Sequence, residues 1–209
     1  MTGPRRESRA ERTARRAEVG DPAVVLEAAF RFLEARARSV SETRRRLTEA
    51  GYRAGLVEQA IERLGVIGLL DDEVFARHWV EARDRTSPRG EAALRRELIL
   101  RGVTTEIIAN VLAARRTNPE TFRLGGPPPE RRPAGAEETE PGDIDPDQPG
   151  SADEAAAGRL LERRRRDLER IDDPRARRAR AYALLARHGF APDIAARLAA
   201  QSVHQSDED

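Results

Sequence analysis

The stretch Leu47-Thr48-Glu49-Ala50-Gly51-Tyr52 indicates the fold, because its pattern recurs twice further along the chain. The pattern is a leucine, three residues, a glycine and a bulky apolar residue. Its other copies are Leu98-Ile99-Leu100-Arg101-Gly102-Val103 and Leu185-Ala186-Arg187-His188-Gly189-Phe190. It is typical of a helix that ends on a glycine in the left-handed conformation, with an apolar residue packing back just after it. The sequence therefore predicts three copies of one helical unit.

Apolar residues around each glycine complete a module of three helices. A stripe at helical spacing follows each glycine: Val57/Ala60/Ile61/Leu64, Ile108/Val111/Leu112 and Ile194/Leu198. A further helix is predicted upstream, at about 22–36, 72–84 and 153–170. Helix starts are predicted at a Ser39/Glu42 capping box and at Ser87-Pro88 and Asp173-Pro174, with each proline in the first turn. The predicted fold is all-α, an elongated helical repeat of three tandem modules.

An acidic insertion separates the last two copies. The three glycines are 51 and then 87 residues apart, and the excess of 36 is close to the length of a stretch rich in proline and acidic residues. Its prolines prevent a helix, so we expect a disordered linker. The predicted organisation is a basic flexible tail (1–20), module one (21–70), module two (71–118), the linker (119–152), module three (153–201) and an acidic tail (202–209).

Two expectations about packing follow from this organisation. The apolar connector Val66-Ile67-Gly68-Leu69-Leu70 is expected to join module one to module two, and module three is expected to dock loosely because of its long linker. The aromatic residues Tyr52, Phe75, Trp79 and Phe190 are at helical core positions, so we expect them to be buried rather than to form a stacking surface for nucleobases.

The composition argues against an enzyme. The chain of 209 residues has no cysteine, which excludes disulfides, thiol catalysis and cysteine-bound metal. Its three histidines are far apart, and neither a phosphate-binding glycine loop nor a metal-ligand spacing is present, so no cofactor is predicted. Without a long apolar run, a secretory signal or a heptad seam, we expect a cytoplasmic monomer that does not contact membranes.

Positive charge is the strongest signal for a partner. All 38 Lys+Arg residues are arginine, and the net charge of +1 combines −7 over residues 119–158 with +8 over the remainder. Such a surface favours nucleic acid or a nucleoprotein. The candidate binding residues are Arg44, Arg45, Arg46, Arg95, Arg96, Arg101, Arg163, Arg164, Arg165, Arg166, Arg177 and Arg178. The alternative is a solvated face with Glu–Arg pairs within each helix.

The stretch from Gly68 to Arg83, GLLDDEVFARHWVEAR, resembles the most recognisable run of the RecX family, which regulates the bacterial RecA recombinase. Arg89-Gly90 with Leu94–Leu98, and Arg178–Phe190, resemble the second and third modules of that family. The similarity covers roughly 22–115 and 153–200. Two features depart from it: Thr43 replaces a usual leucine, which predicts looser packing of module one, and the acidic insertion is not typical.

The resemblance implies a non-catalytic regulator that lies along the groove of the RecA–single-stranded-DNA filament. There it would restrain filament growth, ATP hydrolysis, strand exchange and the coprotease activity of the filament. The implied partners are the RecA filament and the backbone of single- or double-stranded DNA. Two other functions stay open: a helix-turn-helix-like non-specific DNA-binding protein, and a helical-repeat adaptor for another protein.

Overall fold

The structure, a computed structural model, describes residues 7–117 and 152–204, and side chains up to residue 202. These residues form eleven helices and no strand, which confirms the all-α prediction. The helices are α1 (Arg9–Ala17), α2 (Pro22–Glu34), α3 (Val40–Ala50), α4 (Ala54–Val66), α5 (Asp72–Thr86), α6 (Glu91–Leu100), α7 (Thr105–Thr117), α8 (Ala152–Arg163), α9 (Arg165–Glu169), α10 (Pro174–Arg187) and α11 (Pro192–His204). The predicted disordered linker lies almost entirely outside the described residues.

The three repeated glycines have the predicted backbone conformation. Gly51, Gly102 and Gly189 have φ values of +101°, +76° and +81°, in the left-handed region that favours glycine. The amide of Tyr52 donates to the carbonyl of Leu47, and the amide of Phe190 to that of Leu185, which closes each helix end. The repeated pattern therefore marks the end of the middle helix in each module.

The described residues divide into two compact units. The first contains the described residues up to Phe75 together with Ile99–Thr105, and the second contains Ala76–Leu98 and the described residues from Glu106 onward. The helices α5 and α6 of module two are thus divided between the units. The third module belongs to the second unit.

An additional helix, α1, belongs to the first unit. The sequence predicts a flexible tail over residues 1–20, whereas Arg9–Ala17 is helical and begins with a capping box formed by Ser8 and Glu11. Arg53 Nε donates to the Ala17 carbonyl at 2.7 Å. A Cβ atom on Gly51 would lie 2.7 Å from Thr13, so α1 lies directly over the Gly51 turn. The tail assignment therefore does not describe residues 9–17.

The core of the first unit is aliphatic, with Val25, Leu47, Val57 and Leu64 almost fully buried. Thr43, where the resemblance leads us to expect a leucine, is also fully buried. Its Oγ1 donates to the carbonyl of Ser39 at 2.9 Å, so its polar group has a partner. The substitution therefore leaves no unsatisfied hydroxyl in the core.

The connector after α4 does not have the predicted burial. Leu70 is 4% exposed, but Val66, Ile67 and Leu69 are 74%, 44% and 56% exposed. The prediction that the whole connector is an apolar joint is wrong for these three residues, because a tight turn at Gly68 directs only Leu70 into the core.

Within the second unit, the third module contacts α6 at a pair of glycines. The amide of Gly90 donates to the carbonyl of His188 at 3.0 Å, and a Cβ atom on Gly90 would lie 2.2 Å from the carbonyl oxygen of Gly189. Gly90 also accepts from the Leu94 amide, so α6 starts after Gly90. The predicted start at Ser87-Pro88 is therefore wrong, because Pro88 precedes the first turn.

The same kind of contact occurs in the first unit, where Ser39 Oγ donates to the carbonyl of Arg101 at 2.6 Å. Ser39 and Gly90 each stand twelve residues before a repeat glycine, and Arg101 and His188 stand immediately before the next one. The hydrogen bond between successive repeats is therefore equivalent in both units, although a side chain donates in one and a backbone amide in the other.

A buried arginine joins α5, α7 and α8 of the second unit. Arg115 is 2% exposed, and its Nε and Nη2 bind the Asp84 carboxylate at 3.0 and 2.9 Å. Its Nη1 donates to Asp153, which also accepts from the Glu91 amide at 3.0 Å. Burial raises the pKa of Asp153 above its usual value, against the opposing effect of the Arg115 charge. Instead of docking loosely, module three is therefore held by this cluster and by the Gly90 contact.

Candidate nucleic-acid interface

Arg44 forms a bidentate ion pair rather than an open binding site. Its Nε and Nη2 donate to the two carboxylate oxygens of Glu58 at 2.8 and 2.9 Å, from α3 to α4. The hydrogen bond from Arg44 lowers the pKa of Glu58 below its usual value, although the pair is solvent-exposed. An external phosphate would have to displace this carboxylate.

The other candidates in the first unit also have partners. Arg45 approaches Glu49, one turn later on α3, at 4.0 Å, and Arg101 Nη1 donates to Glu42 at 2.8 Å. Arg46 is exposed and lies over the ring of Phe32, with 5.8 Å between its Cζ and the ring centroid. The first unit therefore does not present these four arginines as an open basic ridge.

In the second unit, α6 carries one paired and one unpaired candidate. Arg95 binds Glu91, one turn earlier, at 3.1 Å. Arg96 is exposed and forms no ion pair with any described residue. Of the two, Arg96 is the side chain whose donors are available to an external anion.

The run of four arginines is not one continuous helix. The chain leaves helical geometry at Arg164, with φ −107° and ψ 5°, so α8 and α9 replace the single helix predicted for 153–170. Arg163 donates to the carbonyls of Arg85 and Thr86 and so satisfies carbonyls at the end of α5. Its position is therefore explained by packing within the unit.

The other three members of the run differ in their partners. Arg164 lies 3.6 Å from Asp167, and Arg165 donates to Glu169 at 2.6 Å, both within one helical turn. Arg166 is exposed and has no ion-pair partner in the described part of the chain. Pairing within a turn, the alternative weighed above, therefore accounts for two of the four.

Helix α10 is the most strongly basic element. Between Pro174 and Arg187 it has five arginines and no acidic residue. Arg177 is half-buried, and its Nε donates to the carbonyl of Ile171 at 3.0 Å. Arg178 is exposed, and three arginines outside the candidate set are exposed as well. None of these four has an ion-pair partner among the described residues. The four are Arg175, Arg178, Arg180 and Arg187.

The three additional arginines of α10 could have been found from the sequence. No carboxylate occurs at the i±3 or i±4 positions within this helix, so its arginines cannot pair along their own helix as Arg45 and Arg95 do. The core-facing residues Ala181 and Leu185 are fully buried, which places the basic residues on the remaining faces. We call Arg175, Arg178, Arg180 and Arg187 the α10 basic surface.

The single tryptophan does not provide an open stacking surface. Trp79 is half-buried, and its Nε1 donates to Glu97 Oε2 at 2.8 Å. Arg83 donates to the same oxygen at 2.7 Å and lies over the indole ring, 4.6 Å from its centroid. One ring face is thus covered by a guanidinium, and Tyr52, Phe75 and Phe190 are buried as predicted.

Comparison with known proteins gives the family. Three family models match the chain, described as the first, second and third three-helix domains of RecX, over residues 26–64, 71–112 and 152–198. The chain belongs to the RecX family. The matched domains correspond to α2–α4, α5–α7 and α8–α11, whereas α1 lies outside them.

Curated relatives of this RecX-family chain are named regulatory proteins. One from Mycobacterium sp. (strain JLS) is 42% identical over 84 residues, which are 40% of this chain and 46% of the relative. Another, from Mycolicibacterium smegmatis, is 39% identical over 84 residues, 40% of this chain and 45% of the relative. The chain spans about half the length of the curated relatives it matches.

Solved RecX structures share the fold. The crystal structure of RecX from Lactobacillus salivarius has a TM-score of 0.61 at 16% identity, covering 90% of this chain and 96% of that one. A crystal structure of regulatory protein RecX has a TM-score of 0.58 at 17% identity, covering 93% and 78%. Among the described helices of this RecX-family chain, none is both long and apolar enough to cross a membrane.

Proposed function

We propose that this RecX-family chain regulates the RecA recombinase, mainly as an inhibitor, by binding along the groove of the RecA–single-stranded-DNA filament. In this proposal it modulates filament growth, ATP hydrolysis, strand exchange and coprotease activity, acts in the cytoplasm as a monomer and catalyses no reaction. Membership of a family whose curated members are named regulatory proteins supports the regulatory role.

The α10 basic surface is the observation that carries the proposed contact with DNA. An arginine without an acidic partner has all its donors free for phosphate oxygens, whereas a paired arginine must first give up a carboxylate. The proposed phosphate contacts are therefore Arg96, Arg166 and the α10 basic surface. Arg44, Arg45, Arg95 and Arg101 already pair with glutamates.

Such contacts predict binding that depends on salt but not on base sequence. Each phosphate contact on single-stranded DNA contributes about −0.7 to the slope of log K against log salt concentration. Replacing Arg175, Arg178 and Arg180 by glutamine should therefore reduce the magnitude of that slope by about 2. The measurement is fluorescence anisotropy of a labelled oligonucleotide over a series of salt concentrations.

A matched control uses three arginines that already have partners. Arg44, Arg45 and Arg95 replaced by glutamine remove the same formal charge, but each of these side chains pairs with a glutamate. We expect a smaller loss of affinity and a smaller change in slope for this variant. Equal losses in the two variants would show that net charge, rather than the α10 basic surface, determines binding.

The regulatory role is tested by titrating the protein against RecA on single-stranded DNA. We expect ATP hydrolysis and strand exchange to fall at substoichiometric to stoichiometric ratios, and no effect over that range would reject the proposal. Binding to DNA that is unchanged by RecA, without inhibition, would favour the non-specific DNA-binding protein. Binding to neither would favour the helical-repeat adaptor.

A further inference from the structure

Three aliphatic side chains project from the turn between α4 and α5. Val66, Ile67 and Leu69 are 74%, 44% and 56% exposed, and we call this segment the 66–69 turn. Single exposed aliphatic residues are ordinary on a protein surface, but three within four positions form a local apolar patch. Their proximity makes this turn a candidate contact with another molecule.

Hydrogen bonds and packing hold the 66–69 turn in one conformation. The amides of Ile67, Gly68 and Leu69 donate to the carbonyls of Arg63, Gly65 and Leu64 at 3.2, 3.0 and 3.0 Å. Gly68 has φ +73°, as a left-handed turn requires. Leu64 and Leu70, on either side, are buried in the core of the first unit. Because the turn is already ordered, little conformational entropy is lost when it binds.

The charges that flank the 66–69 turn in the sequence disfavour nucleic acid as its occupant. Residues 62–73 include four carboxylates, Glu62, Asp71, Asp72 and Glu73, against one arginine, Arg63. This local excess of negative charge repels a phosphate backbone, whereas α10 has five arginines and no acidic residue. The chemistry complementary to the 66–69 turn is an apolar pocket with a cationic rim, which a folded protein provides.

The size of the patch argues against a second copy of this chain. A stable protein interface buries about 800 Å² on each partner, from about 20–30 residues. Three aliphatic side chains on one turn supply only a small part of that area. They are suited to the central anchor of a larger contact, where a few buried side chains carry most of the binding energy.

We infer that the 66–69 turn is an apolar anchor that inserts into an apolar pocket with a cationic rim on a partner protein. This inference rests on the proposed function, in which the partner is a recombinase subunit of the filament. The turn then binds protein, while the arginines of the second unit bind phosphate. The two contacts differ in chemistry. The anchor contact should persist as salt rises, and the phosphate contact should weaken.

The test replaces Ile67 and Leu69 together by glutamine in the full chain. Burial of each side chain favours binding by an amount equivalent to about tenfold in affinity, so the double variant should bind the RecA–single-stranded-DNA filament about 100-fold more weakly. Affinity for naked single-stranded DNA and the melting temperature should stay unchanged, because both side chains are exposed. The control is Val24→Gln, an aliphatic residue of α2 that is 42% exposed, and it should leave filament binding unchanged.

Each other outcome overturns the inference. Unchanged filament affinity in the Ile67/Leu69 variant, while the wild-type chain binds, rejects the anchor but not the proposed function. An equal loss in Val24→Gln, or weaker binding to naked DNA, also rejects the anchor. Sedimentation velocity that shows wild-type self-association, lost in the double variant, identifies a second copy as the occupant. A wild-type chain that does not bind the filament overturns both proposals.

Discussion

Removing the buried guanidinium of Arg115 tests how the third module is held. Arg115→Met keeps a side chain of similar length and removes the charge together with three hydrogen bonds, two to Asp84 and one to Asp153. Asp84, which is itself buried, then retains the ion pair with Arg159, at 3.7 Å. Asp153 retains the Glu91 amide as a donor.

The expected loss follows from the charges left behind. Removing one partner of a buried ion pair costs about 3–5 kcal/mol, because the remaining charge stays buried without compensation. Asp153 can reduce this loss by taking up a proton, since burial already raises its pKa. Asp84 loses both of its hydrogen bonds to Arg115 and keeps only the longer ion pair with Arg159 among those described. With a urea m-value of about 2 kcal/mol/M, the unfolding midpoint should fall by roughly 1.5–2.5 M.

Urea denaturation followed by Trp79 fluorescence and by helical circular dichroism measures this loss. Trp79 is the only tryptophan, so its signal comes from the second unit. The matched control is Arg116→Met, the next residue of α7, which is half-exposed and lies 3.7 Å from Glu91. That exposed pair contributes about 0–1 kcal/mol.

A loss of stability for Arg115→Met no larger than that for Arg116→Met would contradict a structural role for the buried guanidinium. So would a large loss that Asp84→Leu fails to relieve. Removing the leftover carboxylate from the Arg115→Met background replaces a buried ion pair with apolar side chains, a change that is often neutral for stability. The double variant should therefore recover most of the lost free energy of unfolding.

Three further predictions concern other contacts. Burial lowers the pKa of His188 below 6.5, so its contribution to the free energy of unfolding should be present above pH 6.5 and lost as pH falls through the folded pKa. Urea titrations at several pH values should show that His188→Gln removes this part of the pH dependence of stability. In urea denaturation, Gly90→Ala should lower the free energy of unfolding by at least about 1–3 kcal/mol, because its Cβ would meet a backbone carbonyl at 2.2 Å. Gly158→Ala, which has open space around it, should raise the free energy of unfolding by about 0.5–1 kcal/mol. Arg44→Gln should raise the pKa of Glu58 toward 4.5 in an NMR titration, since the Arg44 hydrogen bond holds it down, and an unchanged pKa would contradict that cause.

The helical modules were predictable because their signals are local. A glycine that needs positive φ, a Ser39–Glu42 capping box and a proline after Asp173 each act within a few residues, and all are present in the structure. Apolar stripes at helical spacing then identify the buried faces, such as Val57 and Leu64. These features fix the number of modules and the ends of most helices.

The partners of the arginines were less predictable. Pairs one turn apart, such as Arg45 with Glu49, follow from spacing along a helix. The pairs of Arg44 with Glu58 and of Arg101 with Glu42 join residues 14 and 59 positions apart, so they depend on tertiary packing. The candidate interface therefore differs most from expectation at arginines whose partners are distant in sequence, because spacing along a helix does not predict those pairs.

The ion pair between Arg115 and Asp153 places the end of α7 beside the start of α8. The two described ends that flank residues 118–151 therefore lie close together. Since the free energy of closing a loop between two such ends changes only slowly with loop length, we expect a foreign domain inserted between them, for instance a fluorescent reporter, to leave the packing of both helices unchanged.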